Sequence, residues 1–166
     1  MDLHKALITE YGSEIALTRK MLEAIPADAD LSWKANPKSM SLGRLAAHVA
    51  ETAGEWGNDT LSKDGLAFDM ATYKPWHPAT KAEILNKFDI DTERAKQTLI
   101  NLDPAKLDDN WKMTAGDQTW INDSRYVVFR VWVLNHFIHH RAQLGRDLRA
   151  LGVPIPGTYG PSADES

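Results

Sequence analysis

Between Tyr126 and Ile138 the chain is apolar on nearly every side of a helix, in a run that continues to Leu151. A helix of that kind sits at the centre of a core or shares one face with a partner subunit, so it needs other amphipathic helices around it. The rest of the chain supplies three. Asp2 to Ile25 carries Leu3, Leu7, Tyr11, Ile15, Leu17, Met21, Leu22 and Ile25 near the helical period, with Pro26 as a stop. Ser41 is placed to cap a second helix running to about Leu61, with Leu42, Leu45, Val49, Ala53 and Trp56 as its apolar stripe. Thr80-Lys81-Ala82-Glu83 has the form of a capping box and opens a third, carried by Ile84, Leu85, Phe88, Ala95, Leu99 and Leu102.

Two segments break the helical pattern. Trp111–Thr114 and Gln118–Ile121 flank Ala115-Gly116-Asp117 and read as a β-hairpin. Ser62 to Pro78, rich in Gly, Asp and Pro and containing Tyr73, Trp76 and His77, is a loop long enough to cover something. Asn122, Asp123 or Ser124 caps the last helix, and Gly152 ends it. The expected fold is all-α: a four-helix bundle with short connections and a small β-hairpin before the last long helix. It forms a single domain over residues 1–166, with an irregular tail from about residue 152.

The 166 residues include no cysteine, so disulfides, cysteine-type zinc sites and iron–sulfur clusters are excluded. Any bound metal must use imidazole, carboxylate or water. A net charge of −4 and a pI near 5.8 give no electrostatic footprint for nucleic acid or an anionic membrane. No apolar stretch approaches the roughly 20 residues that span a bilayer. The start, Met1-Asp2-Leu3-His4-Lys5, lacks the layout of a signal peptide, so the expected location is cytoplasmic. The all-round apolar fourth helix, where it is not simply central in the core, points to a homodimer.

Histidines carry the chemistry. His136 and His140 are four residues apart and share a helix face, a spacing that lets both rings reach one divalent cation. His136 and His139, three apart, can do the same, and spacing does not choose between the pairs. A helical wheel puts His136, His140, Gln143 and Asp147 on one stripe with Phe129 and Trp132. The simpler reading of such a pair is a set of buried imidazoles satisfied by neighbouring helices. His48, on the shoulder of the second helix's stripe, is the candidate third ligand. His4 and His77 are left out, and Arg141, Arg146 and Arg149 read as a solvated face.

Three segments resemble one family. Pro37-Lys38-Ser39-Met40-Ser41-Leu42-Gly43-Arg44-Leu45-Ala46-Ala47-His48, Asn135-His136-Phe137-Ile138-His139-His140-Arg141-Ala142-Gln143-Leu144 and the tail from Val153 to Asp164 are together similar to the DinB/YfiT-like metal-binding four-helix bundles. That family is distinct from the similarly named DNA polymerase. The resemblance spans nearly the whole chain and implies a metal held by His48, His136 and His140. One departure is Ala142, where relatives often have Gly in His-Arg-Gly-Gln; alanine is the better helix former.

The resemblance further implies metal-assisted attack on a small electrophile by a low-molecular-weight thiol, an S-transferase chemistry. Three imidazoles leave an open position on a divalent ion, zinc or nickel foremost, at which a thiol or water loses its proton more readily. The partners are then a small-molecule substrate and a thiol. The alternatives are a metal-dependent hydrolase, for which the sequence offers no convincing base, and a non-catalytic metal-binding stress or sensor module. Gln143 is a candidate to orient His140 or a ligand; no catalytic residue is assigned.

Overall fold

The computed structural model describes residues 2–165. Helix α1 spans Leu3–Glu23, capped by the Asp2 side chain. Helix α2 covers 42–62 in three continuous parts: α-helical Leu42–Glu51, a π-helical turn at Thr52–Trp56, and α-helical Gly57–Ser62. Ser41 caps it by accepting from the Arg44 amide. Helix α3 runs over Lys81–Asn101 behind Thr80, which accepts from the Glu83 amide. Helix α4 covers 125–150, again in three parts: Arg125–Val128, a π stretch at Phe129–Asn135, and His136–Ala150. Ser124 caps its start, and Gly152, at φ 76°, follows its end.

Packing contacts run α1–α3, α3–α2, α2–α4 and α4–α1 around the bundle. Helices consecutive in sequence, α1 with α2 and α3 with α4, therefore lie on the diagonals. That arrangement requires long connections, and residues 24–41, 63–80 and 102–124 separate the helices, as the helix bounds read from the sequence imply and against the short connections expected of the bundle. At the centre, the buried Tyr11 hydroxyl donates to the Ala53 carbonyl in the π turn of α2, 2.8 Å away. Tyr11 also packs edge-on against Phe129 and Phe137 of α4. Gly54 lies flush against α3, where a Cβ would run into Asp91, so the π turn of α2 is pressed directly onto its neighbour.

The hairpin forms as expected and then gains a strand. β2 (Asn110–Ala115) pairs antiparallel with β3 (Gln118–Ser124) across Gly116-Asp117. Gly116 alone has positive φ in that turn, the pattern of a type II′ hairpin. β1 (Gly65–Ala67), inside the segment read as a loop, adds to β2 in parallel and completes a sheet of order β1-β2-β3. Trp111, Met113, Ile121 and Val128 form a small core under this sheet, apart from the main core of the bundle.

Arg125 joins the sheet end to the bundle. Its guanidinium is buried and donates to the carbonyls of Thr60 (2.6 Å), Leu61 (3.3 Å) and Lys63 (2.6 Å) at the end of α2, and its Nε to Lys106. These are orphan carbonyls of a helix C-terminus, satisfied here by one cation. Arg125→Ala is expected to cost about 2–3 kcal/mol, because it strands buried acceptors. Urea denaturation checks this; a loss near zero contradicts it.

Of the three arginines expected on a solvated face of α4, Arg146 and Arg149 are exposed, but Arg141 is not. Arg141 is 2% exposed and donates to the Glu14 carboxylate at 2.8 Å and the Thr18 hydroxyl at 3.1 Å. The reason is the tail: Tyr159 folds back, donating to Glu14 at 2.8 Å and accepting from Arg141 at 2.7 Å. Asp164 accepts from Arg149 and the Ile155 amide, and Glu165 from the Gly157 and Ser162 amides, so the irregular tail is tied down along its length. Among the described residues no helix is long and apolar enough to cross a membrane.

Candidate metal centre

The α2 and α4 faces bring His48, His136 and His140 together, with one potential ligand atom from each lying within 4.8 Å of the others. His48 Nε2 and His136 Nε2 are 3.2 Å apart. The ring centroids are separated by 5.0 Å (48–136), 4.5 Å (48–140) and 4.8 Å (136–140). His139 is exposed and stands outside the group, so geometry selects the i, i+4 pair where spacing did not. His4 hydrogen-bonds the Leu99 carbonyl, and His77 is exposed in its loop.

The far nitrogens of the rings face acceptors. His136 Nδ1 meets the Trp132 carbonyl at 3.3 Å. His140 Nδ1 meets Gln143 Oε1 at 2.8 Å, and the Gln143 amide reaches His139 at 3.0 Å. His48 Nδ1 lies 4.0 Å from the Glu51 carboxylate, which Arg44 holds at 2.8 Å. For His136 and His140, an acceptor at Nδ1 favours the tautomer that leaves the Nε2 lone pair free. Gln143 was legible as a candidate for this role. Glu51 was not singled out, although its i, i+3 spacing from His48 carries the signal.

Burial, then the neighbouring His140 and His136 rings and Arg44, pushes His48 down to about 3. Burial also lowers His136 and His140 against the opposing pull of their Nδ1 acceptors. All three are therefore neutral donors near pH 7. Unfolded histidines take up protons near 6.5, whereas the folded cluster resists until lower pH, so the metal-free protein loses stability as pH falls below that point. Metal-free His48→Gln should show a shallower acid loss than wild type in thermal melts between about pH 6.5 and pH 5; parallel curves contradict the assignment.

Two clefts are lined by histidines of the cluster, and a third shares the Trp56 wall with one of them. Beside His140, one of about 310 Å³ is lined by Lys38, Ser39, Met40, Gln143, Arg146 and Asp147. Beside His136, another of about 280 Å³ is walled by Trp56, Met113, Trp120, Ile121 and Trp132. The third, of about 430 Å³, runs from Glu51 and Glu55 to Tyr73, Trp76 and Lys87 under the 68–80 loop.

A four-helix bundle with a cluster of three histidines opening into clefts defines the class: a helical protein built around a preformed imidazole site. The DinB family profile matches residues 5–166, and the chain belongs to that family. No curated protein matches the sequence. Among solved structures, a DinB-like protein from Bacillus cereus is 22% identical with a TM-score of 0.72, covering 93% of this chain and 97% of that one. A DinB-like protein of Bacillus subtilis, YjoA, is 18% identical with a TM-score of 0.68, covering 92% and 97%. YfiT of Bacillus subtilis, described as a probable metal-dependent hydrolase with an unusual four-helix-bundle topology, is 16% identical with a TM-score of 0.60, covering 91% and 89%. At these identities the likeness is one of fold.

Proposed function

We propose that this chain is a metal-dependent S-transferase that joins a low-molecular-weight thiol to a small electrophile. The observation that carries the reading is the placement of the histidine cluster between a charged cleft at His140 and an apolar one at His136. His48, His136 and His140 would hold one divalent ion through Nε2. A Zn–N distance of about 2.0–2.1 Å puts neighbouring nitrogens of a tetrahedral site about 3.3 Å apart, and His48 and His136 already stand at 3.2 Å. Small side-chain movements bring in His140. All-imidazole donors suit zinc or nickel. Three protein ligands beside open clefts favour a reactive site over a closed structural one.

When bound, the ion supplies a Lewis acid that makes an approaching thiol more acidic. Lys38, Arg146 and Gln143 in the polar cleft are placed to bind the thiol's carboxylates and amides. The thiol proton leaves to solvent, the sulfur forms a bond to carbon, and the carbon's leaving group departs as an anion. Thiol chemistry fits this site because a thiol near pKa 8.5 needs no protein base, and the Glu51 carboxylate next to His48 is already engaged by Arg44. A second reading, metal-dependent hydrolysis, is favoured by Glu51 and Glu55 lining the third cleft and by the description of YfiT.

The test is product formation by zinc- and nickel-loaded protein with 1-chloro-2,4-dinitrobenzene and each of a panel of thiols. Thioether formation that needs both metal and one thiol supports the proposal. Metal-dependent release of the phenol without thiol dependence supports hydrolysis and contradicts it.

A further inference from the structure

We propose that the cleft beside His136 is a binding site for a flat, uncharged aromatic molecule of one or two rings. As the acceptor side of the reaction this rests on the S-transferase reading; as a binding site it stands on its own geometry. Its walls are the indoles of Trp56, Trp120 and Trp132 with Met113 and Ile121, and no charged side chain lines it. The other two clefts each carry lysine together with acidic groups. A volume of about 280 Å³ suits a small molecule rather than a peptide helix.

The cleft leads to the cluster. His136 is part of its lining, and Trp56 meets the His136 ring edge-on at 6.3 Å between centroids. A ring seated here has its edge at the imidazole whose Nε2 faces His48. The walls are also fixed before any ligand arrives. Trp120 leans on Phe68 at 5.6 Å, Phe68 leans on Tyr73 at 4.9 Å, and the Phe68 amide is tied to the Thr114 carbonyl at 2.7 Å. Trp56 and Trp132 both stand in the π stretches of their helices.

These wide turns rotate the residues beyond them relative to a straight α-helix. Phe129 is consequently buried in the core while Trp132 stays 43% exposed at the cleft, although a regular wheel puts them on one stripe. Trp120 is 44% exposed on the facing side. Two indoles left open across an uncharged gap suit stacking or edge contact with another π system, which aliphatic ligands of equal size do not gain.

The experiment is a titration of 15N-labelled protein, metal-free and zinc-loaded, with 2-naphthol, following the six indole N–H signals. The expected result is saturable one-to-one shifts of Trp56, Trp120 and Trp132, with Trp33 unmoved, and binding of decahydro-2-naphthol, the saturated counterpart, about tenfold weaker. Trp132→Ala should weaken 2-naphthol at least about tenfold and Trp132→Phe should keep most of the affinity; Trp132 is exposed enough for the fold to persist in both variants, which circular dichroism checks. No saturable shift, or equal shifts of every indole, overturns the proposal. So does cleft-signal loss that grows with protein concentration in the absence of ligand, which identifies a second copy of the chain as the occupant. Cleft binding without thioether formation leaves this site standing and removes the transferase reading; thioether formation without cleft binding does the reverse.

Discussion

Zinc affinity is expected to fall in His136→Ala by more than the about 10- to 100-fold that loss of a mere supporting partner costs. The ring is central to the cluster: its Nε2 is 3.2 Å from that of His48, and its Nδ1 is held by the Trp132 carbonyl. Removing it leaves two donors and opens the metal position toward the apolar cleft. His139→Ala, three residues away, should leave affinity unchanged, because its exposed ring stands outside the group. Gln143→Leu should fall between them, within the supporting range, because it frees His140 Nδ1 but removes no donor. Competition with a chromophoric chelator measures all three. Equal losses in His136→Ala and His139→Ala contradict the assignment.

The second large effect is on stability. Arg141→Ala should destabilise the fold by about 3–5 kcal/mol, since it leaves the Glu14 carboxylate without its cation in a buried setting. That is a large part of the about 5–15 kcal/mol that ordinary domains possess. The tail should loosen with it, because Tyr159 is held between the same two groups. Tyr159→Phe, which removes one hydroxyl and keeps the ring, should cost only about 1 kcal/mol. Replacing both Arg141 and Glu14 by apolar residues of similar volume should recover most of the single-variant loss. Urea denaturation at neutral pH measures the series, and proteolysis of the tail follows its release. An Arg141→Ala variant within about 0.5 kcal/mol of wild type contradicts the buried network.

The sequence makes the helices legible because their ends are written in local chemistry. Ser41, Thr80 and Ser124 accept the amide hydrogen bonds their side chains are suited to, and Gly152 takes the positive φ expected past a helix end. The hairpin turn at Gly116-Asp117 is local in the same way. What could not be read depends on distant partners. Arg141 and Arg125 look like surface charges until the tail and the end of α2 close over them. β1 is three residues long and exists only because β2 offers an edge.

The two π stretches have no comparable local signature, and they decide the site. A wheel drawn at a constant 100° per residue joins Phe129 to His136, whereas the wide turn sends Phe129 to the core. Within the regular segment His136–Ala150 the wheel holds, so His136, His140 and Gln143 do share a face. The choice of His140 over His139 rests on the family resemblance, whereas His48 is a candidate third member from the residues alone and the resemblance supports it. The geometry that brings the three rings together is set by the α2–α4 contact, which no spacing within one helix encodes.

The most direct measurement of the central claim is X-ray absorption at the zinc edge of protein loaded with one equivalent of zinc, for wild type and His48→Ala. The account predicts three imidazole nitrogens at about 2.0–2.1 Å with one further light ligand in wild type, and one imidazole fewer in the variant. A wild-type shell with fewer than three imidazoles, or a spectrum that His48→Ala leaves unchanged, would contradict it.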